Sequence, residues 1–206
     1  MSLLNPSVCV IGNSEKFIKI LNEKFPQSFI IYSWRNLPFL NGVSADIIYV
    51  IGYDYSSYCK DYDSYYLSNV RTPLDFINSI ANKNTIIYYI DTQHSFKKIT
   101  FSRYRFAKYK LGESLYNLFF NRLRILEIPT IIDGEGSPQI HGNLVEKIVF
   151  RIAIKYGAVK AIKLSDVRDM IMMDEFVNPI YSGLAGRFLS LRRVALVDRF
   201  LRVVCG

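Results

Sequence analysis

The segment Ser102-Arg-Tyr-Arg-Phe-Ala-Lys108 sets a tyrosine and a lysine four residues apart at the opening of an amphipathic pattern. On a helix, residues at that spacing project from one face, one turn apart. An ammonium beside a phenol favours phenolate and lowers its pKa, which suits Tyr104 to proton transfer at a carbinol or carbonyl oxygen. With 15 tyrosines in the chain the spacing alone is weakly specific, and the surrounding elements must decide. A further hydroxyl stands in Asp91-Thr-Gln-His-Ser95, where Thr92 is the best donor to a substrate oxygen. His94 reads as a polar loop residue, and with only His141 besides it the sequence offers no metal site.

Short apolar runs alternate with helical patterns along the chain. Val8–Gly12, Phe29–Tyr32, Ala45–Ile51, Thr85–Ile90 and Arg124–Ile128 read as strands. Between them, helical periods run from Phe17 to Phe25, over 64–82 and over Tyr104–Phe120. Continuous apolar strands alternating with amphipathic helices predict an α/β fold, a doubly wound parallel sheet covered on both faces. Ligands of such sheets lie beyond the carboxyl ends of the strands, where Gly12, Gly52, Thr92 and Pro129 fall.

With 206 residues, half of them apolar and 21% charged, the composition is that of one globular domain. No apolar run approaches the ~18 residues of a membrane span, and the first residues show no secretory pattern. Cys9, Cys59 and Cys205 form no Cys-x-x-Cys pair, so reduced thiols in a cytoplasmic protein are expected. The net charge of +8 is concentrated at the end of the chain, where Arg187, Arg192, Arg193, Arg199 and Arg202 face only Asp198. A solvated basic surface accounts for it. Peripheral contact with an anionic membrane through a basic, amphipathic segment at 179–206 is the sharper reading. Nucleic-acid binding rests on charge alone and ranks last.

In their order these pieces resemble the extended short-chain dehydrogenase/reductases, specifically the NAD-dependent epimerase/dehydratase family acting on nucleotide-sugars. Ala45-Asp-Ile-Ile-Tyr-Val-Ile-Gly52 is similar to that family's fourth strand and cofactor loop. Asn69-Val-Arg-Thr-Pro-Leu-Asp-Phe-Ile-Asn78 is similar to its Asn-Val-x-Gly-Thr helix opening, and Tyr104 and Lys108 to its Tyr-x-x-x-Lys. Leu126-Glu-Ile-Pro-Thr-Ile-Ile132 resembles the strand end beside the nicotinamide. Gly142-Asn-Leu-Val resembles the segment closing over the nucleotide-sugar, and Val167-Arg-Asp-Met-Ile-Met-Met-Asp-Glu175 the Arg-Asp-Phe-Ile-x-Val-Asp-Asp motif. The likeness covers roughly 8–178. It implies an NAD or NADP cofactor held by Gly12, Gly52, Asn69, Lys108 and Pro129, with Tyr104, Lys108 and Thr92 catalytic.

The departures fall on the cofactor. Ile11-Gly-Asn-Ser-Glu-Lys-Phe-Ile18 keeps only Gly12 of the phosphate-binding glycines, with Glu15 and Ile18 where the others belong. No acidic residue ends the second strand, where Arg35 follows Trp34; Arg35 is either an exposed loop residue or a partner for a 2′-phosphate. Glu127 replaces a usual arginine, and the family's second lobe has little sequence left to form it. Two readings follow. One is a degenerate member, a binding or regulatory protein with weakened or lost dinucleotide affinity. The other is an active NAD(P)-dependent epimerase, dehydratase or reductase of a nucleotide-sugar in polysaccharide biosynthesis. The resemblance also implies a homodimer built from the helices after Asn69 and from Tyr104. Leu74, Ile77, Ile80, Leu111, Leu115 and Phe119 are its candidate contacts, unless they form the sheet-facing stripe.

Overall fold

The computed structural model describes residues 7–26, 28–37, 44–92, 103–132 and 144–182. Five parallel strands form the central sheet: β1 (Val8–Ile11), β2 (Phe29–Tyr32), β3 (Ala45–Val50), β4 (Ala81–Thr92) and β5 (Leu123–Ile128). Their order is β2-β1-β3-β4-β5, so the doubly wound parallel sheet expected from the sequence is the fold observed. The order reverses between β1 and β3, which makes that junction the crevice where such sheets take ligands.

Alternation along the strands builds two hydrophobic layers. Cys9, Ile11, Ile48 and Val50 face one layer; Val8, Val10, Tyr49 and Ile51 face the other. The first layer is covered by α3 (Thr72–Ile80) and α4 (Arg103–Phe119), which bury Phe76, Ile77, Ile80, Leu111, Leu115 and Phe119. Helices α1 (Glu15–Lys24) and α6 (Leu164–Met172) cover the second, through Phe17, Ile20, Leu21, Val167 and Ile171. Spacings of three and four put each set on one helix face. Lys24 ties α1 to the end of α6: its ammonium donates to the Ile171 carbonyl at 2.6 Å and pairs with the Asp174 carboxylate. A cation there also complements the negative end of the helix dipole.

The expected second apolar face on α3 and α4 is corrected here. Ile77, Ile80, Leu111, Leu115 and Phe119 are buried and Leu74 packs against the same layer, so these residues are the sheet-facing stripe of one chain. Of the six candidate contacts, five are buried within the chain and Leu74 is half-buried.

Between β3 and α3 the chain makes a 3₁₀ turn at Tyr55–Cys59, a short helix α2 (Tyr62–Tyr66) and a π-helical turn at Leu67–Arg71. After β5, a second parallel pair joins β6 (Thr130–Ile132) to β7 (Ala161–Lys163), with α5 (Leu144–Lys155) between them in sequence. Val177, near the end of the segment the family resemblance covers, exchanges two 2.9 Å backbone hydrogen bonds with Ile125 of β5. The basic residues from Arg187 onward lie outside the described residues, and no described helix is long and apolar enough to cross a membrane.

Candidate functional site

The carboxyl edge of the sheet gathers the residues singled out in the sequence. Gly12 follows β1, Gly52 lies just past β3, Thr92 ends β4 opposite Ile128, and Pro129 leaves β5. The side chain of Thr92 lies outside the described residues, as do Gln93, His94, Ser95 and His141. Among the described residues no cluster of three or more His, Cys, Asp or Glu side chains is placed to hold a metal ion.

Gly12 and Gly52 touch. Gly12 adopts φ +118°, donates its N–H to the Tyr32 carbonyl at 2.8 Å, and has no room for a side chain. A Cβ built on it would lie 2.6 Å from the Gly52 backbone. A Cβ on Gly52 would lie 2.1 Å from Cε3 of Trp34. Thus an indole that arrives from the end of β2 lies against Gly52, at the carboxyl ends of β1 and β3. Trp34 is only 4% exposed, and its indole N–H donates to the Ser68 carbonyl at 3.0 Å.

The next residue secures that turn. Arg35 Nε donates to Asp54 Oδ1 at 2.9 Å, and Asp54 is buried. Burial by itself would push the Asp54 carboxyl up. Hydrogen bonds from Ser56 and Arg35 outweigh it and hold the carboxyl below its ordinary range. The structure therefore gives Arg35 a carboxylate partner within the chain.

Asn69 is equally committed. Its Oδ1 accepts the Asp54 N–H at 2.7 Å, while Nδ2 donates to Ser57 Oγ at 2.6 Å and to the Tyr65 carbonyl at 3.2 Å. It sits in the π-helical turn and clamps the loop after β3 onto α2. Removing a buried, fully bonded amide strands its partners at ~1–3 kcal/mol. Asn69→Ala should accordingly lower the urea-unfolding free energy by roughly 2–3 kcal/mol. A loss below about 0.5 kcal/mol would mean water replaces the amide.

Helix α4 carries Tyr104 and Lys108 in the expected register, but they serve different neighbours. Lys108 is 5% exposed; its ammonium donates to the Ile90 carbonyl at 3.0 Å and lies 4.9 Å from the centre of the Tyr89 ring. Burial pulls its pKa down to about 8, against an opposing pull from Asp91. Tyr104 packs edge-on to Tyr53 at 4.7 Å, stacks with Tyr55 at 5.9 Å and shares a hydrogen bond with the Tyr55 hydroxyl. Its phenol is pushed well above the ordinary value, by burial first and then by Tyr55 and Asp91. The phenol-lowering effect expected of Lys108 is corrected here. The ammonium is directed to the strand carbonyl, and desolvation dominates the phenol.

Trp34, Asp54 and the Tyr53–Tyr55 pair are the residues that sequence reasoning passed over. Their one advance signal was placement: a lone tryptophan just after a strand, and a tyrosine-rich stretch just after a Gly-ended one.

No protein-family model matches the chain, and no curated protein matches it. Among solved structures it is similar to gox2253, with a TM-score of 0.53 at 14% identity, over 80% of this chain and 64% of that one. It is also similar to RMD from Pseudomonas aeruginosa, solved complexed with NADPH. That likeness has a TM-score of 0.52 at 11% identity, over 81% of this chain and 73% of that one. The chain thus spans just under two thirds of gox2253. These likenesses establish the Rossmann-like fold.

Proposed function

We propose that this chain is a short-chain dehydrogenase/reductase-like protein, related to nucleotide-sugar epimerases and dehydratases, that has lost useful dinucleotide affinity and acts by binding or regulation. The observation that carries the reading is the indole of Trp34 against Gly52, in the crevice a dinucleotide would need. Three other features support it. Glu15 puts a carboxylate in the first turn of α1, where it competes with a phosphate for the helix N-terminus. Ile18, in the place of a packing glycine, is wedged against the core. Asn69 directs its amide to Asp54, Ser57 and Tyr65, and Arg35 directs its Nε to Asp54. The residues present do not fit an NAD or NADP molecule in this arrangement, so no hydride step is derived.

Titration with NADH and NADPH, followed by nicotinamide fluorescence and calorimetry, tests the reading. The expected result is no saturation below about 1 mM, the weak end of specific binding. A dissociation constant in the low micromolar range, or cofactor retained through purification, overturns it. The alternative of an active NAD(P)-dependent enzyme draws on Tyr104 and Lys108 sharing one helix beside the strand ends. Under that alternative Tyr104→Phe abolishes turnover and leaves cofactor affinity unchanged; under the reading proposed here there is no turnover to abolish.

A further inference from the structure

Helix α5 joins β6 to β7 and, among its described side chains, buries none. Its end is nonetheless well built. Gly157, at φ +71°, turns its own N–H and that of Ala158 back onto the Ile154 and Ala153 carbonyls at 3.0 and 2.8 Å. The Tyr156 N–H still donates to the Ile152 carbonyl at 3.0 Å, so Tyr156 continues the helix face. Ala153 and Ile154 are half-buried and mark the flank turned toward the molecule.

Away from them the helix is apolar. Ile148, Val149, Ile152 and Tyr156 follow spacings of three and four, which makes them one stripe. The first three are about half exposed, and Tyr156 is 78% exposed. Single apolar side chains on a surface need no explanation, but four on one stripe mark an interaction surface. Lys147, Arg151 and Lys155 recur every four residues along one border of the stripe, all exposed, and Glu146 is the sole acidic residue of the helix. Exposed Lys160 and Lys163 add cations beyond its end.

The charge pattern selects the occupant. Residues 183–206 make a poor cover, because Arg187, Arg192, Arg193, Arg199 and Arg202 against Asp198 would set like charges together. A second copy, paired through antiparallel α5 helices about a two-fold axis, brings the two basic borders to the same side with the same repulsion. An anionic lipid surface accepts both features: apolar side chains enter the acyl boundary while the cations meet negative headgroups. At 12 residues α5 is about 18 Å long. That is too short to cross a ~30 Å hydrocarbon core and fits a helix lying in the interface.

We propose that α5 is an interfacial helix that docks the protein on an anionic bilayer surface, with Ile148, Val149, Ile152 and Tyr156 inserted and Lys147, Arg151 and Lys155 on the headgroups. The inference is independent of whether a dinucleotide binds.

Flotation of the full chain with vesicles tests it, using phosphatidylcholine alone and three parts phosphatidylcholine to one part phosphatidylserine. Wild type should float with the mixed vesicles and not with the neutral ones. Ile152→Asp should weaken binding to the mixed vesicles at least about tenfold, and so should Lys147→Gln combined with Lys155→Gln, at roughly fivefold per lysine. All these side chains are exposed, so circular dichroism should not change. Arg192→Gln combined with Arg199→Gln should lose less than the lysine pair.

Wild type that ignores the mixed vesicles overturns the proposal. Binding that survives the α5 changes, or that falls only with the arginine pair, overturns it too. A lipid-free dimer in sedimentation equilibrium that Ile152→Asp dissociates gives the stripe to a second copy and has the same consequence. If Ile152→Asp does not fold, the lysine pair decides alone: a tenfold loss supports the docking helix, and unchanged binding overturns it.

Discussion

Replacing Gly12 by alanine should cost the fold on the order of 4 kcal/mol, enough to unfold much of a marginally stable domain at 37 °C. Two penalties combine. The backbone at φ +118° lies in a region that L side chains rarely adopt, which costs roughly 1–3 kcal/mol. The new methyl would also sit 2.6 Å from backbone atoms of Gly52, which cannot rotate away, and overpacking of that kind costs about 1–3 kcal/mol more. Gly52→Ala should behave differently, because the atom in its way is the Trp34 ring, at 2.1 Å. There the indole must shift, and the loss approaches the ~3–5 kcal/mol of deleting a buried aromatic while the sheet stays intact. Urea unfolding followed by circular dichroism measures both losses. Tryptophan emission separates them, with a red shift in native Gly52→Ala and none in whatever native fraction Gly12→Ala retains. A Gly12→Ala loss under about 1 kcal/mol would mean that the two loops part easily.

Much of the sheet was legible from apolar runs bounded by turn residues. β2 coincides with its sequence reading, and β1, β3, β5 and α4 differ from theirs by at most a residue at an end. Where reading and structure part, a non-local interaction decides. β4 starts at Ala81 instead of Thr85, through the polar run Asn82-Lys-Asn84 that no periodicity marks as strand. The ladder slips there, with Ala81 opposite Ala45 but Ile86 opposite Ile47. The slipped backbone is satisfied by side chains, Asn82 N–H on Thr85 Oγ1 at 2.7 Å and Thr85 Oγ1 on the Ala45 carbonyl at 2.5 Å. The helical period over 64–82 likewise concealed a π-helical turn, because the extra residue in the turn serves Asn69 and its contacts across the loop.

The site was legible in position but not in allegiance. That Tyr104 and Lys108 share a helix follows from their spacing. That the ammonium goes to the Ile90 carbonyl while the phenol goes to Tyr55 depends on which strands and loops arrive beside α4. That Glu15 and Ile18 stand where the family resemblance would put glycines was legible in the sequence. The approach of Trp34 to Gly52 was not, since Gly52, in a different loop, leaves the indole its space. Arg35 shows the same limit. Its sequence neighbours offer no carboxylate, and its partner Asp54 is brought to it by the approach of Gly12 and Gly52.

Lys108 alone should add about 1 kcal/mol to folding stability between pH 8 and pH 9, so that stability rises across that interval. The folded lysine titrates at about 8, whereas an unfolded lysine titrates near 10.4. Below pH 8 both states carry the proton, and the folded state bears the full cost of a buried ammonium. At about 1.4 kcal/mol per pKa unit that cost is on the order of 3 kcal/mol. Between these two pKa values the unfolded chain binds the extra proton, so stability climbs with pH. The climb is cut short from above. Burial raises the Cys9 thiol to about 11 from an ordinary 9.0, so its contribution falls away as pH passes 9. The buried phenols of Tyr89 and Tyr109 and the half-buried phenol of Tyr104 are raised too, and they turn the curve downward beyond pH 10. Urea unfolding at half-unit steps from pH 7 to 10 should therefore show a maximum near pH 9. Lys108→Met should lose the rise from pH 8 to 9 whatever its offset at pH 7, an offset that Asp91 complicates by losing a positive neighbour. A slope identical in wild type and variant would mean that the ammonium reaches water, and with it a hydrated lysine free to turn toward Tyr104.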